Sequence, residues 1–280
     1  MKRPAALALA AWALAGPALA GDLPSADGWV RTDLMAAGRV LASAAPARRA
    51  PGEVLTVVIE GDGMAHDRRG RARADPTPRR ATGLEIARAW PDEPKAWLGR
   101  LCQYTAAKDA ACSPADWTTG RFSEAAVAAA DAAIDQLKAD AGARRVRLVG
   151  WSGGGTLAAL AAARRDDVAA LVTIAAPLDL AAWTAWHGLS PLAGSLDPVR
   201  LEPLTGMAQT HLFGRFDPVV PPQMGEPAAR RLAGPGGRVE VWPERHGCCW
   251  AGRARAIAGL ARSAGGASAS EAADQPATAP

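Results

Sequence analysis

A chain of 280 residues, 49% of them hydrophobic, has enough apolar material to fill the core of one large domain. Its formal charge is only +4, and without Lys2 and Arg3 it falls to +2, so nothing in the charge balance indicates a nucleic-acid partner.

The first twenty residues read as a secretory signal peptide. Lys2 and Arg3 make a basic start, Ala5 to Leu14 a short apolar core, and Ala18-Leu19-Ala20 a small-x-small cleavage pattern before Gly21. The apolar stretch is too short for a transmembrane anchor, and no Cys follows the cut to carry a lipid. The mature chain, starting at Gly21, is therefore expected to be periplasmic or secreted. Four cysteines in that setting favour disulfides. Cys102 and Cys112 can close a short loop and are the preferred pair. A bond between the adjacent Cys248 and Cys249 would need a strained eight-membered ring, and the three full pairings all stay open. Neither pair has zinc-site spacing and no His pair completes one, so no metal is expected.

Within residues 21–50 only Arg39 to Ser43 reads as a strand. Val54 to Ile59 is a nearly unbroken β-branched run, as in a strand buried on both faces, and it ends in Glu60-Gly61-Asp62-Gly63. An Arg-rich stretch, residues 68–80, reads as a solvated loop, with contact to an anionic surface as the alternative. Thr82 to Trp90 predicts a short helix and Lys95 to Leu98 a strand. Ser123 is a good N-cap for a helix to about Asp140, with Val127, Ala130, Ile134 and Leu137 on one face. Arg145 to Val149 predicts a strand, Thr156 to Arg164 a helix, and Ala169 to Ala175 another buried strand. Residues 176–208 lack sustained periodicity and hold Trp183, Trp186 and His187, which suggests a small cap insertion. Thr210 to Phe213 and Arg238 to Trp242 close the series of strands. From Ser263 onward the Ala/Ser/Gly/Pro composition predicts a disordered tail, 263–280. Alternating strands and helices over residues 21–262 imply an α/β domain with a mostly parallel sheet covered on both faces.

The chemistry centres on Gly150-Trp151-Ser152-Gly153-Gly154, a Gly-x-Ser-x-Gly pattern entered from a strand and left through a helix. Small residues beside the serine relieve collisions at such a turn. An activated serine needs a base, and the base an orienting acid. Of the four histidines, His211 lies inside a strand and His66 beside the Gly61–Gly63 loop, while His187 falls in the presumed cap. His246, in a loop after the last strand, is the expected base. Asp217, directly after the penultimate strand, is the expected acid, with Asp179 in reserve. Gly153 N–H is one oxyanion donor; Asp62 N–H is the first choice for the second and Gly63 N–H the alternative. Trp151 and His187 are candidates to touch substrate. The glycine clusters fit nothing else. Gly150–Gly155 lacks the Lys-Ser/Thr of a phosphate loop, and Gly61-Asp62-Gly63 lacks a third glycine because His66 stands there.

The order of these motifs, Gly-Asp-Gly loop, Gly-Trp-Ser-Gly-Gly, Gly-x-x-Asp-x-x-Val-Pro and then His, resembles the α/β-hydrolase superfamily over about residues 39–262. Ile-Glu-Gly-Asp-Gly, Gly-Arg-Leu-Cys-Gln-Tyr, Trp-Thr-Thr-Gly-Arg-Phe-Ser and His-Gly-Cys-Cys-Trp look like a group of exported bacterial α/β-hydrolases of poorly defined substrate. The resemblance implies an α/β-hydrolase fold with an about eight-stranded sheet, no cofactor, and a small-molecule or lipid ester as substrate. One departure stands out: Glu60 replaces the His that lipases often carry. The expected activity is that of an exported serine esterase. The alternatives are a serine peptidase or amidase, and a non-catalytic envelope binding protein on the same scaffold.

Overall fold

In the computed structural model, residues 28–91 and 94–271 are described, with side chains through Arg262; the signal peptide expected over residues 1–20 lies outside them. Eight strands form one open sheet: β1 (Trp29–Ala36), β2 (Arg39–Pro46), β3 (Val54–Ile59), β4 (Lys95–Leu98), β5 (Arg145–Trp151), β6 (Val168–Ile174), β7 (Ala208–Gly214) and β8 (Arg238–Trp242). Their spatial order is β1-β2-β4-β3-β5-β6-β7-β8. β2 runs antiparallel to both β1 and β4, and every other neighbouring pair is parallel.

β1 was not expected from the sequence. It lies at the sheet edge with Val30 and Met35, on opposite faces, both in solvent, so no apolar run marks it. The turn into β2 uses Ala37 and Gly38, both at positive φ, as a two-residue hairpin requires.

The described residues form six α-helices: α1 (Thr82–Ala89), α2 (Glu124–Asp140), α3 (Gly153–Ala162), α4 (Leu180–Trp186), α5 (Pro222–Ala233) and α6 (Trp250–Glu271). Alternate side chains of β3 face opposite layers. Leu55, Val57 and Ile59 join Val127, Ile134, Leu137, Leu157 and Leu160 on one side. Val58 joins Leu84 and Ile86 of α1, the following Trp90, and Ala254, Ile257 and Ala258 of α6 on the other. Each such large aliphatic side chain contributes about 1.5–3 kcal/mol on burial. Helix α3 is buried at every position, so it is apolar all round instead of amphipathic. Ser123 caps α2 by accepting the Ala126 N–H at 3.3 Å.

Helices α4, α5 and α6 were not expected from the sequence. The 176–208 stretch contains α4, whose seven residues are too few to show a period; Asp179 and Asp197 hold its first turn by accepting the Ala182 and Leu180 N–H groups. Helix α6 continues past Ser263, where composition predicted the start of a tail, because alanine at so many positions carries high helix propensity. The 68–80 loop is mostly exposed, with Arg71–Asp67 and Arg80–Glu85 ion pairs in water.

His211 lies in the core of β7, between Thr173 Oγ1 at 2.8 Å and Gln209 Oε1 at 3.3 Å. Burial pushes its pKa down from 6.5 to about 4. Over that interval the unfolded chain takes up a proton that the folded one refuses. Stability therefore falls as pH drops from about 6.5 to about 4, by at most roughly 1.4 kcal/mol per pH unit. Urea unfolding at steps from pH 7 to 4.5 is expected to show this slope in the wild type and a flatter one in His211→Gln. Equal slopes would refute the assignment.

Candidate active site

Ser152 occupies the turn between β5 and α3 with φ 53° and ψ −131°, a conformation that L-residues adopt only when their surroundings impose it. Here the surroundings are backbone. The Ser152 N–H donates to the Ile174 carbonyl at 2.8 Å. A Cβ at Gly150 would lie 2.2 Å from the Gly154 carbonyl oxygen, and one at Gly154 would lie 2.3 Å from that of Ile59. The glycines either side of the serine are thus demanded by close approach of three backbone segments.

The ends of β5, β7 and β8 bring Ser152, Asp217 and His246 to one rim of the sheet, as parallel strand ends do. Ser152 Oγ is 3.0 Å from His246 Nε2, and His246 Nδ1 is 2.8 Å from Asp217 Oδ2. Asp217 is buried, and its second oxygen accepts the Val219 and Val220 N–H groups at 2.7 and 2.9 Å. A carboxylate so filled with donors takes the Nδ1 proton of His246 as its third, which leaves Nε2 free to accept from the serine hydroxyl. The reserve acid Asp179 instead caps α4 and makes no bond to His246.

The loops carrying Asp217 and His246 are tied to each other and to the rest of the molecule. The Phe216 N–H donates to the Glu244 carbonyl at 3.0 Å. Trp151 and Trp250 indole N–H groups both donate to the His246 carbonyl, at 3.0 and 3.1 Å. The buried Glu244 carboxylate takes the Cys249 N–H and the Arg253 Nε. On the far flank of Asp217, Trp183 Nε1 and His187 Nε2 both meet the Val219 carbonyl, at 2.9 and 2.8 Å. His187 therefore steadies the acid's loop, while His66 is exposed and outside the triad. Trp250 and Glu244 had no sequence signal, since their role lies in contacts to main chain. Cys102 pairs with Cys112 as preferred, and Cys248 pairs with Cys249 despite the ring that made that bond the less expected one.

Upstream, Glu60 explains the departure from the lipase pattern. Its buried carboxylate accepts the N–H groups of Gly61 at 3.1 Å, Gly83 at 2.9 Å and Leu84 at 3.2 Å, and the Trp97 indole at 2.9 Å. It thereby fastens the 60–63 loop to the N-terminus of α1 and to β4. Burial raises its pKa, and these four donors oppose the rise. A Cβ at Gly61 would lie 2.6 Å from the Trp151 ring and 3.4 Å from Ser152 Cβ, so this loop borders the serine. Asp62 borders Gly153, whereas Gly63 faces the Pro76 carbonyl. Among the described residues, the Asp62 N–H meets no acceptor.

The 176–208 segment also lines a cavity of about 590 Å³ with Leu160, Leu180, Leu192, Leu196 and Leu201. Leu160 is eight residues beyond Ser152, roughly 12 Å along the helix axis, so this cavity lies toward the far end of α3.

Glu60→Gln turns one acceptor into a donor facing N–H groups, and is expected to destabilise the fold by roughly 2–3 kcal/mol in denaturant unfolding at pH 7. A midpoint equal to wild type would mean that the four-donor carboxylate is wrongly described.

No protein-family model matches the chain, and no curated protein matches it in sequence. Solved structures do resemble it. A cold-adapted esterase from an Arctic intertidal metagenomic library has a TM-score of 0.54 at 17% identity, covering 84% of this chain and 92% of that one. A Pyrobaculum calidifontis esterase has a TM-score of 0.55 at 16% identity, covering 85% of each chain. A Mycobacterium tuberculosis puromycin-hydrolyzing peptidase has a TM-score of 0.55 at 19% identity, covering 84% of this chain; the present chain spans 37% of its length. Together with the eight-stranded order and the strand-end site, these likenesses show that the chain has the α/β-hydrolase fold.

Proposed function

We propose that the protein is an exported serine hydrolase that cleaves carboxylic esters through an acyl-enzyme intermediate. The observation that carries this reading is the hydrogen-bonded series from Ser152 Oγ through His246 to Asp217, at 3.0 and 2.8 Å. His246 Nε2 takes the serine proton as Oγ attacks the ester carbonyl carbon. The oxygen of the tetrahedral intermediate gains negative charge and is met by the Gly153 and Asp62 N–H groups. The His246 imidazolium, held in register by Asp217, then protonates the leaving alkoxide. Water attacks the acyl-enzyme with His246 again as base, and the carboxylic acid leaves. Trp151, half-buried beside Gly61 and tilted against the His246 ring, makes an apolar wall for a small-molecule or lipid ester. His187 would bear on substrate through the Val219 loop that it holds.

Ester cleavage is favoured because two of the fold's solved likenesses are esterases, while a third is a peptidase, which supports amide cleavage as the second reading. Export rests on the pattern of residues 1–20 and agrees with four paired cysteines.

A fluorophosphonate probe is expected to label the wild type and to leave Ser152→Ala unlabelled. No labelling beside a reactive control esterase would overturn the serine-hydrolase reading, and labelling of the alanine variant would overturn the choice of serine. Asp217→Asn is expected to lower kcat by about 10⁴-fold. Paired kinetics on an aryl ester and an aryl amide of one acyl group decide between the two readings.

A further inference from the structure

The stretch Gly99–Tyr104 and the stretch Trp117–Ser123 have no part in the triad, yet both converge on Asp62. Arg100 Nη1 lies 2.9 Å from Asp62 Oδ1 and Arg121 Nη1 lies 2.8 Å from Asp62 Oδ2. Both guanidinium side chains are buried and held in fixed orientations. Arg100 Nη2 donates to the Arg121 carbonyl at 2.6 Å, Arg121 Nε donates to the Thr118 carbonyl at 2.7 Å, and the Arg100 guanidinium carbon lies 4.8 Å over the Phe122 ring centre. A third side chain acts on the same peptide unit: Gln103 Nε2 donates to the Gly61 carbonyl at 2.8 Å, while its Oε1 accepts the Arg100 N–H at 3.2 Å.

The geometry of one peptide plane links these contacts. The Gly61 carbonyl and the Asp62 N–H belong to one planar trans unit and point in opposite directions. Fixing the carbonyl on Gln103 aims the N–H away from Gln103, and clamping the Asp62 carboxylate between two arginines stops the plane from rotating about its flanking bonds. The same carboxylate closely approaches Gly153, where a Cβ would sit 2.0 Å from Asp62 Oδ1 and 2.9 Å from Arg100 Nη1. A lone carboxylate there would repel a developing oxyanion. Two guanidiniums paired with this carboxylate offset its charge.

We propose that Arg100, Arg121 and Gln103 are positioning residues of the oxyanion site, holding the Gly61–Asp62 peptide so that the Asp62 N–H converges with that of Gly153. The proposal rests on the reading of Ser152 as nucleophile and of the Asp62 N–H as an oxyanion donor. The three residues touch no reacting atom and act through this peptide. Disulfide Cys102–Cys112 lies in the segment that carries Arg100 and Gln103, and so ties their backbone to the neighbouring loop.

The test uses the mature protein with Arg121→Met, Gln103→Met and the conservative Arg121→Lys. For each, kcat and KM are measured on a short-chain aryl ester, functional sites are counted by end-point fluorophosphonate titration, and the Ki of a trifluoromethyl ketone transition-state mimic is determined. Removing an oxyanion donor outright lowers kcat by about 10²–10³-fold, so misaiming one is expected to lower kcat per titrated site by roughly 10–100-fold. KM should stay within about threefold, as for an interaction made only in the transition state. The ketone Ki should rise in parallel with the loss of kcat, and Arg121→Lys should recover part of both. If kcat per titrated site is unchanged and only the number of sites falls, the residues merely support the fold and the proposal is wrong. Should Arg121→Met yield no folded protein, Gln103→Met and Arg121→Lys decide on the same criteria. A wild type that neither titrates nor turns over ester overturns the hydrolase reading, and this proposal with it.

Discussion

Helix α3 starts where β5, β3 and β6 end, with main chain against main chain, and most of the site follows from that crossing. The close approach excludes a Cβ at Gly150, Gly154 and Gly155, and it forces Ser152 into positive φ. A serine on an ordinary strand or helix would alternate into a layer of side chains. Displaced by the turn, it stands at the rim where the loops after β7 and β8 arrive. The conformational penalty, of order 1–3 kcal/mol for such a backbone, is met by a helix buried at every position beyond it.

Around that fixed point the loops brace one another instead of hanging from single anchors. The acid's loop is held on one side by the Glu244 carbonyl and on the other by Trp183 and His187 at Val219. The base's loop is held through its own carbonyl by two tryptophans, one preceding the serine and one opening α6. The upstream loop is held from below by Glu60 and from the side by Arg100, Arg121 and Gln103. For the hydrolysis proposed above, such pre-positioning matters because a donor must be in place before charge develops.

The parts legible in the sequence share a physical property: each is encoded by residues close together in the chain. The β3 and β6 runs are almost wholly buried and so are nearly continuously apolar, each broken by one threonine. The Gly-x-Ser-x-Gly spacing reports a local turn, and Ser123 reports a local cap. What escaped notice lacks such a signature. β1 is an edge strand with exposed residues on both faces, α4 is less than two turns long, α5 contains Pro227, and α6 runs into an Ala/Ser/Gly-rich stretch. Glu60 looked like a flaw in a familiar loop and is instead a four-donor acceptor whose partners lie up to 37 residues away. The arginines around Asp62 come from 38 and 59 residues along the chain, and no spacing rule joins them.

By itself, then, the sequence determined the alternation of strands and helices as far as β6, the turn that carries Ser152, and the chain order of Ser152, Asp217 and His246, because hydrophobic period and turn chemistry are local properties. Only the tertiary structure decided that Asp217 and not Asp179 meets His246, that Asp62 and not Gly63 lies against Gly153, and which buried groups hold them there. Those choices depend on distances between loops remote in sequence, and such distances are set by how the sheet and its helices pack.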